Sequence, residues 1–512
     1  MGNDIQLAST PKTRFWLALG STALAQIVAM ANAIFLVPLF LQAWGADGYG
    51  QWLALTALVA YLALLDLGGQ AYIGNLLART YVLGDMARFR RGLAEGVSVY
   101  LLITAVAFLV VIVMLALPEI RLPGQVEPIG LSERMILLFL SIATLLGVPG
   151  GVYVTVYRAT GRMARGIMVG NIVRSINLAI CIALLWLQIT PLAYAGVLMV
   201  QAVVLTFIVI ADIKRQIRAS RNVDFGWHAA QDGWQHMRGS LGFWLIALAT
   251  TLNFQGVILL LNARGSSDMV ALYATTRTAA GMIGYVSMLL GTPLVAELTF
   301  LHAQHQRDRL TQITVLAVKG LLFVSGIAAL GLWLILPVVY PLWTGRQLTL
   351  QPLLLAVLLV QGVLAAGWNT SSWILLATNE HRRITFWAVA NAVTTVALAW
   401  LLIPKLGVLG AAIATLCGDI FCGLLVYPRK AAAMLGVGSW TFFKGMLQAG
   451  SSVTLLTLAI SLATRLPGLS GVAAGSAVLG FLFYPMLRLV LSQQERRWLL
   501  TTFRRTRPAT TG

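Results

Sequence analysis

The sequence predicts an all-α, polytopic membrane protein of about fourteen transmembrane helices. Three observations carry that reading. The 512 residues are 59% hydrophobic and only 10% charged, whereas a soluble domain is roughly a quarter charged. The apolar residues fall in long runs separated by short polar links, and a bilayer core satisfies no backbone polar group outside a helix or a closed barrel. The basic residues are unevenly divided between alternate links, as the positive-inside rule requires.

In chain order the expected spans are 15–41, 49–69, 93–117, 133–157, 167–187, 191–211, 241–262, 271–297, 312–337, 352–377, 385–403, 408–428, 446–463 and 471–491. The links Gln188–Thr190 and Pro404–Gly407 are too short to hold any domain. The first run, about 27 residues, is too long for the core of a secretory signal, and many further runs follow it. The polar turn Gly45-Ala46-Asp47-Gly48-Tyr49-Gly50-Gln51-Trp52 ends the first run, and a second run leads to Asp66-Leu67-Gly68-Gly69. Apolar run, turn, apolar run is the unit repeated along the chain.

Orientation follows from the cations. With the N-terminus inside, the inner links and tails hold 27 Lys and Arg, and the outer links hold six: Arg121, Arg134, Arg264, Arg346, Lys405 and Arg465. Both termini are therefore expected in the cytoplasm. The net charge of +19 reflects this distribution and not a nucleic-acid partner.

Two matches suggest an internal repeat. Gly20-Ser21 leads to Gly45-Ala46-Asp47 much as Gly239-Ser240 leads to Gly265-Ser266-Ser267-Asp268, and Trp186, Pro191 and Gly196 resemble Trp400, Pro404 and Gly410. Both members of each pair cross in the same direction, as parallel repeats do. The expected organisation is an N-terminal six-helix half (1–211), a cytoplasmic linker (212–240), a second six-helix half (241–428), two additional spans (429–491) and a basic tail (492–512). Phe225, Trp227, Trp234 and Met237 suggest that part of the linker lies on the membrane surface. The basic tail is expected against anionic lipid of the inner leaflet. Cys181, Cys417 and Cys422 all lie in apolar runs, and no CxxC or Cys/His cluster exists, so neither a metal nor another cofactor is expected.

The turn Gly45–Trp52, with Leu64-Leu65-Asp66-Leu67-Gly68, resembles the opening of Wzx-type polysaccharide flippases. So do Tyr273–Arg277 with Pro293, and Ile403-Pro404-Lys405-Leu406-Gly407-Val408-Leu409-Gly410-Ala411-Ala412. These flippases share a superfamily with multidrug/toxin extruders and lipid II flippases, and the similarity covers roughly residues 15–435. It implies alternating access between two bundles that move undecaprenyl-diphosphate-linked oligosaccharide outward across a bacterial inner membrane. Its implied partners are that substrate, membrane lipid, a counter-ion (proton or sodium) and other polysaccharide-assembly proteins.

The residues themselves supply candidates for transport. Of the 36 Lys and Arg, the three not assigned to the inner or outer sides lie inside the bilayer: Arg174, Arg277 and Lys319. Each costs about 2.5–3.5 kcal/mol at a helix centre on insertion scales. Lys319 lies at a depth from which a lysine can also snorkel to the interface. Tyr273, Arg277, Gly281 and Tyr285 share one helix face, since residues four apart stack. Thr251, Gln255 and Asn262 make a polar stripe on the seventh span, and Gln361, Trp368 and Ser372 make one on the tenth. Such stripes face either a cavity or another helix. Guanidinium groups bind phosphate bidentately, which suits a diphosphate that must cross hydrocarbon. The acids placed inside the membrane, away from the first residues of a span, are Asp66, Glu297 and Asp419. Asp419 lies about halfway along its span and is the candidate for ion coupling, against a purely structural role as a buried hydrogen-bonding partner. Asp66, near an inner end, is a second candidate with capping or ion pairing as its alternative. Pro149 in Gly147-Val148-Pro149-Gly150-Gly151 marks a possible bend.

Two competing functions are weighed against this. An ion-coupled exporter of small cationic drugs would want carboxylates facing its cavity, but here the surplus is basic. A membrane polymerase or glycosyltransferase would want a sizeable outer loop or an acidic cluster. The longest outer link is only Pro118–Ser132, and no DxD pair occurs. The chain is therefore not expected to be an enzyme.

Overall fold

The computed structural model describes residues 11–119, 121, 128–217, 220, 223–237, 241–377, 382–463, 469–491, 493 and 495–496. These are helical almost throughout, and no strand occurs among them. Eleven helical segments among the described residues are long and apolar enough to cross a membrane. One of them, Ala23–Asp66, contains the first two expected spans. The expected spans 271–297 and 446–463 are not among the eleven. The chain divides into two compact units: Met1–Thr275 with Thr344–Leu348 and Ala392–Ala411, and Thr276–Trp343 with Thr349–Asn391 and Ala412–Gly512.

In the first unit, α1 (Pro11–Val59) is broken at Gly45, whose φ of 70° and ψ of 178° are non-helical. The turn expected here is thus a single-residue kink, at a backbone conformation that glycine adopts without a Cβ penalty. Aromatic packing holds the kink. Phe40 stacks on Tyr49 with centroids 5.2 Å apart, Tyr194 packs edge-on against Phe40, Trp44 and Trp52, and Trp44 Nε1 donates to the Ile189 carbonyl at 2.8 Å. A Cβ on Gly50 would stand 1.9 Å from the Ser267 carbonyl oxygen, so backbone meets backbone there. A 3₁₀ segment, Ala60–Asp66, continues the helix and ends in left-handed Leu67 and Gly68.

The expected inner link 70–92 is a helical hairpin. Its first arm is α2 (Gly69–Val82) and its second is the start of α3 (Met86–Ala116), which Asp85 caps by accepting from the Arg88 N–H at 2.9 Å. α4 (Leu131–Ala159) runs unbroken through Pro149. Proline has no N–H for the carbonyl four residues earlier, and Thr104 Oγ1 of α3 reaches that Leu145 carbonyl at 3.4 Å. α5 (Met163–Trp186) and α6 (Pro191–Gln216) follow, with Thr190 capping α6. Arg165 and Tyr157 converge on Asp212 at 2.6 and 2.5 Å, tying one end of α4, α5 and α6 together.

The stretch 212–240 contains α7 (Trp227–Met237), which packs on α3. A Cβ on Gly233 would come within 2.5 Å of the Glu95 carbonyl, and the Gly226 N–H donates to Ser98 Oγ at 3.2 Å. Phe225, Trp227 and Trp234 are exposed. Beyond it come α8 (Leu241–Thr251), a π-helical turn Leu252–Gly256, and α9 (Val257–Arg264). Trp244 Nε1 donates to the Leu64 carbonyl at 2.9 Å. α10 (Ser267–Ala280) begins in this unit and ends in the second.

The second unit continues with α11 (Met282–Ala303), α12 (Arg307–Trp343), α13 (Pro352–Ala377) and α14 (Arg382–Leu406), whose last turns belong to the first unit. α15 (Val408–Gly418), a π-helical turn Asp419–Leu424, α16 (Leu425–Leu435), α17 (Ser439–Ala463) and α18 (Leu469–Val490) complete it. Polar pairs link its helices: Thr276 Oγ1 with Tyr340 Oη at 3.2 Å and Ser287 Oγ with Ser325 Oγ at 3.1 Å. Small residues permit close packing, because a Cβ on Gly326 would lie 2.3 Å from Val453 Cγ2.

Candidate functional site

A polar arrangement inside the second unit is centred on Asp419. It opens the π-helical turn between α15 and α16. Such turns add a residue to the helical ladder and are frequent at functional sites. Gln361 of α13 donates from Nε2 to Asp419 Oδ2 at 2.9 Å, and Asn391 of α14 donates from Nδ2 to Oδ1 at 3.1 Å. Thr415 Oγ1, one helical turn before Asp419, donates to Gln361 Oε1 at 3.3 Å. The Gln361 amide is thus engaged at both ends, which fixes its orientation. Arg277 at the end of α10 lies within electrostatic range of Asp419. One carboxylate therefore accepts from two amides under the field of one guanidinium.

The stripe expected on the tenth span faces other helices of the same unit. Seven residues after Gln361, Trp368 packs edge-on to Tyr427 with centroids 5.3 Å apart. A Cβ on Gly423 would lie 2.7 Å from the Trp368 ring. Trp368 Nε1 is buried without a hydrogen-bond partner among the described residues. Ser372 Oγ donates to the Asn369 carbonyl of its own helix at 2.8 Å.

The other candidates belong to both units. Lys319 of α12 forms an ion pair with Glu495 at 3.1 Å, its stem lying across Gly445. Tyr285 is half-buried in the second unit. Tyr273 is fully buried in the first unit. Gln255 lies in the π-helical turn Leu252–Gly256, Asn262 lies in α9, and both are half-buried. Arg174 is exposed on α5, one turn beyond buried Asn171. Asp66 accepts from the Tyr100 hydroxyl at 2.9 Å and from the Gln70 N–H at 3.3 Å. Tyr100 also donates to the Asp66 carbonyl.

Asn391, Thr415, Tyr100 and Glu495 are the partners the sequence did not single out. Asn391 is an amide in the apolar run 385–403, and an amide in an apolar run is a signal that could have found it. No sequence pattern placed the other three. Among the described residues no group of three or more His, Cys, Asp or Glu is arranged to hold a metal.

No protein-family model matches the chain, and no curated protein matches it. Solved structures do. A multidrug resistance MATE family transporter of the MOP superfamily, in its inward-facing conformation, aligns with a TM-score of 0.62 at 14% identity, covering 80% of this chain and 98% of that one. The lipid II flippase MurJ, in an inward closed conformation, aligns with a TM-score of 0.66 at 13% identity, covering 92% of this chain and 100% of that one. An outward-facing MATE family transporter aligns with a TM-score of 0.52 at 15% identity, over 83% of this chain and 95% of that one. The chain shares the fold of these multi-pass membrane transporters.

Proposed function

We propose that the chain is a flippase. It carries undecaprenyl-diphosphate-linked oligosaccharide from the cytoplasmic to the periplasmic leaflet of a bacterial inner membrane, by alternating access and with ion coupling. In this reading the chain has about fourteen spans, in two six-helix halves with two further spans, and both termini are cytoplasmic. The observation that supports it most is Arg277 within electrostatic range of the amide-held carboxylate of Asp419. A guanidinium placed there is a phosphate ligand with a built-in competitor.

The cycle follows from that competition. Substrate diphosphate draws Arg277 into its own hydrogen bonds, and Asp419 loses its compensating charge. The carboxylate then takes a proton or a sodium ion, and release of the diphosphate returns Arg277 and expels the ion. A ligand shifts such an equilibrium only by its differential affinity for the two states, and the shared guanidinium supplies that difference. Arg174, Tyr273, Tyr285, Gln255, Asn262 and Trp368 are proposed to line the route, with Asp66 as a second ion site.

Asp419 also supports a second reading, export of a small cation on the same fold. Proteoliposomes separate the two: the flippase reading requires translocation of a lipid-linked saccharide without efflux of cationic dyes. Dye efflux with no saccharide translocation would replace it with the exporter reading.

A further inference from the structure

We infer that Arg264, held flat on the Trp400 ring at one end of α14, binds the phosphate of a membrane phospholipid. This inference does not depend on the proposed cargo. The Arg264 guanidinium carbon lies 3.4 Å from the centre of the Trp400 ring. That is the contact separation of two stacked planes, so guanidinium and indole lie face to face. The five N–H donors lie in the guanidinium plane and therefore point past the ring, not into it. Among the described residues none of them meets a protein acceptor, and Arg264 forms no ion pair. Asp268, four residues further on, forms no ion pair among them either. Both residues of the stack belong to the first unit.

The matching position earlier in the chain is filled differently. Trp44 precedes Gly45 as Arg264 precedes Gly265, and Trp186 matches Trp400. Trp44 gives its one N–H to the Ile189 carbonyl at 2.8 Å and closes its ring into an aromatic cluster. Arg264 is anchored by its face alone, and its donors remain for a ligand. A phosphate diester fits them, because the planar fork takes two phosphate oxygens at once by charge-assisted hydrogen bonds. Lys405, exposed about one and a half turns beyond Trp400, adds positive charge at the same end.

The surroundings point to a lipid as the source of that phosphate. Val393, Ala397, Trp400 and Pro404 recur at spacings of four, three and four, and all are exposed, so they form one apolar stripe on α14. Leu401 beside it is 61% exposed. The stripe is about 16 Å long at a helical rise of about 1.5 Å per residue, comparable to half of a hydrocarbon core about 30 Å thick. An acyl chain lies along such a stripe while its phosphate meets the guanidinium. Cations at the edge of an apolar surface in a membrane meet headgroup phosphates first.

The test is ligand binding to the purified full chain in detergent, read by native mass spectrometry. Probes are dioctanoyl phosphatidylglycerol, dioctanoylglycerol, undecaprenyl diphosphate and inorganic phosphate. Wild type is expected to bind the phosphatidylglycerol about tenfold more tightly than dioctanoylglycerol, which has the same chains and no phosphate. Arg264→Gln should weaken that binding about tenfold, and Arg264→Lys and Trp400→Leu should fall between, since each keeps a charge but loses the fork or its platform. Arg346→Gln, an exposed cation of the same unit outside the stack, should leave it unchanged. If Arg264→Gln fails to fold, Arg264→Lys decides by the same comparison. Binding equal to wild type in the Arg264 variant would overturn the site. Equal binding of dioctanoylglycerol would overturn the phosphate contact, and displacement by inorganic phosphate would overturn the lipid. Tighter binding of undecaprenyl diphosphate at this site would overturn the phospholipid and give the site to the cargo.

Discussion

Gln361 and Asp419 meet at 2.9 Å, and the same glutamine accepts from Thr415 through its other end. That arrangement keeps the glutamine's NH2 turned toward the carboxylate. Any change of charge on Asp419 is therefore met by a fixed donor on one oxygen and by the Asn391 amide, 3.1 Å away, on the other. The site is built around a carboxylate, and substitutions in it have directional consequences.

Asp419→Asn keeps size but fixes neutrality. Its amide nitrogen would face either the Gln361 or the Asn391 donor, a mismatch costing about 1–3 kcal/mol. The variant is expected to fold, with a lowered melting temperature, and to bind substrate while losing its response to an ion gradient in proteoliposomes. Unchanged gradient-driven transport would remove Asp419 from coupling. Failure to fold would assign it a structural role.

The Lys319–Glu495 pair is a packing feature with a testable sign. Both side chains are largely withdrawn from solvent, at 13% and 24% exposure. Lys319→Met alone takes the ion-pair partner at 3.1 Å away from the glutamate and should destabilise by roughly 1–3 kcal/mol. Lys319→Met with Glu495→Leu should recover most of that loss, because a partly buried ion pair is often matched by apolar residues of similar size. Thermal unfolding of the three purified variants checks this. A double variant no more stable than the single one would contradict it.

Gly50 has no room for a side chain toward Ser267, whose carbonyl oxygen would lie 1.9 Å from an added Cβ. Gly50→Ala must therefore move backbone, at about 1–3 kcal/mol for overpacking. A lowered melting temperature is expected, and an unchanged one would show that the approach is not maintained in the membrane.

Topology is checked by labelling with an impermeant thiol reagent in intact cells, after Cys181, Cys417 and Cys422 are replaced. Arg346→Cys should label from outside, and Asp224→Cys should label only after permeabilisation. The reverse pattern would invert the proposed orientation.

The helical, membrane-spanning character of the chain was legible because lipid leaves so few backbone solutions. Element boundaries were less so. Gly45 reads as part of a polar turn, but the Phe40–Trp44–Tyr49–Trp52–Tyr194 cluster closes around it, and one residue suffices for the break. The stretch 70–92 reads as a link because it carries arginines, yet Ile73 and Leu77 bury themselves among Phe89, Leu93 and Val152, and the hairpin is helical. In the site, Arg277, Asp419 and Gln361 stand out as polar residues in apolar runs. Their association with Asn391 and Thr415 is a tertiary fact, set by how α13, α14 and the π-helical turn pack. Periodicity within one helix cannot report that. Glu495 was out of reach for the same reason, since nothing local links it to a lysine 176 residues earlier.

The central claim is that Arg277 carries the diphosphate of a lipid-linked saccharide. Its most direct test is translocation of undecaprenyl-diphosphate-linked oligosaccharide in proteoliposomes containing wild type, Arg277→Lys or Arg277→Ala at equal protein level. Lysine supplies charge without the planar fork, so the rates should fall in the order wild type, Lys, Ala. The Lys step should be about tenfold, equivalent to about 1.4 kcal/mol, and Ala should fall to background. Full translocation by Arg277→Ala would contradict the account.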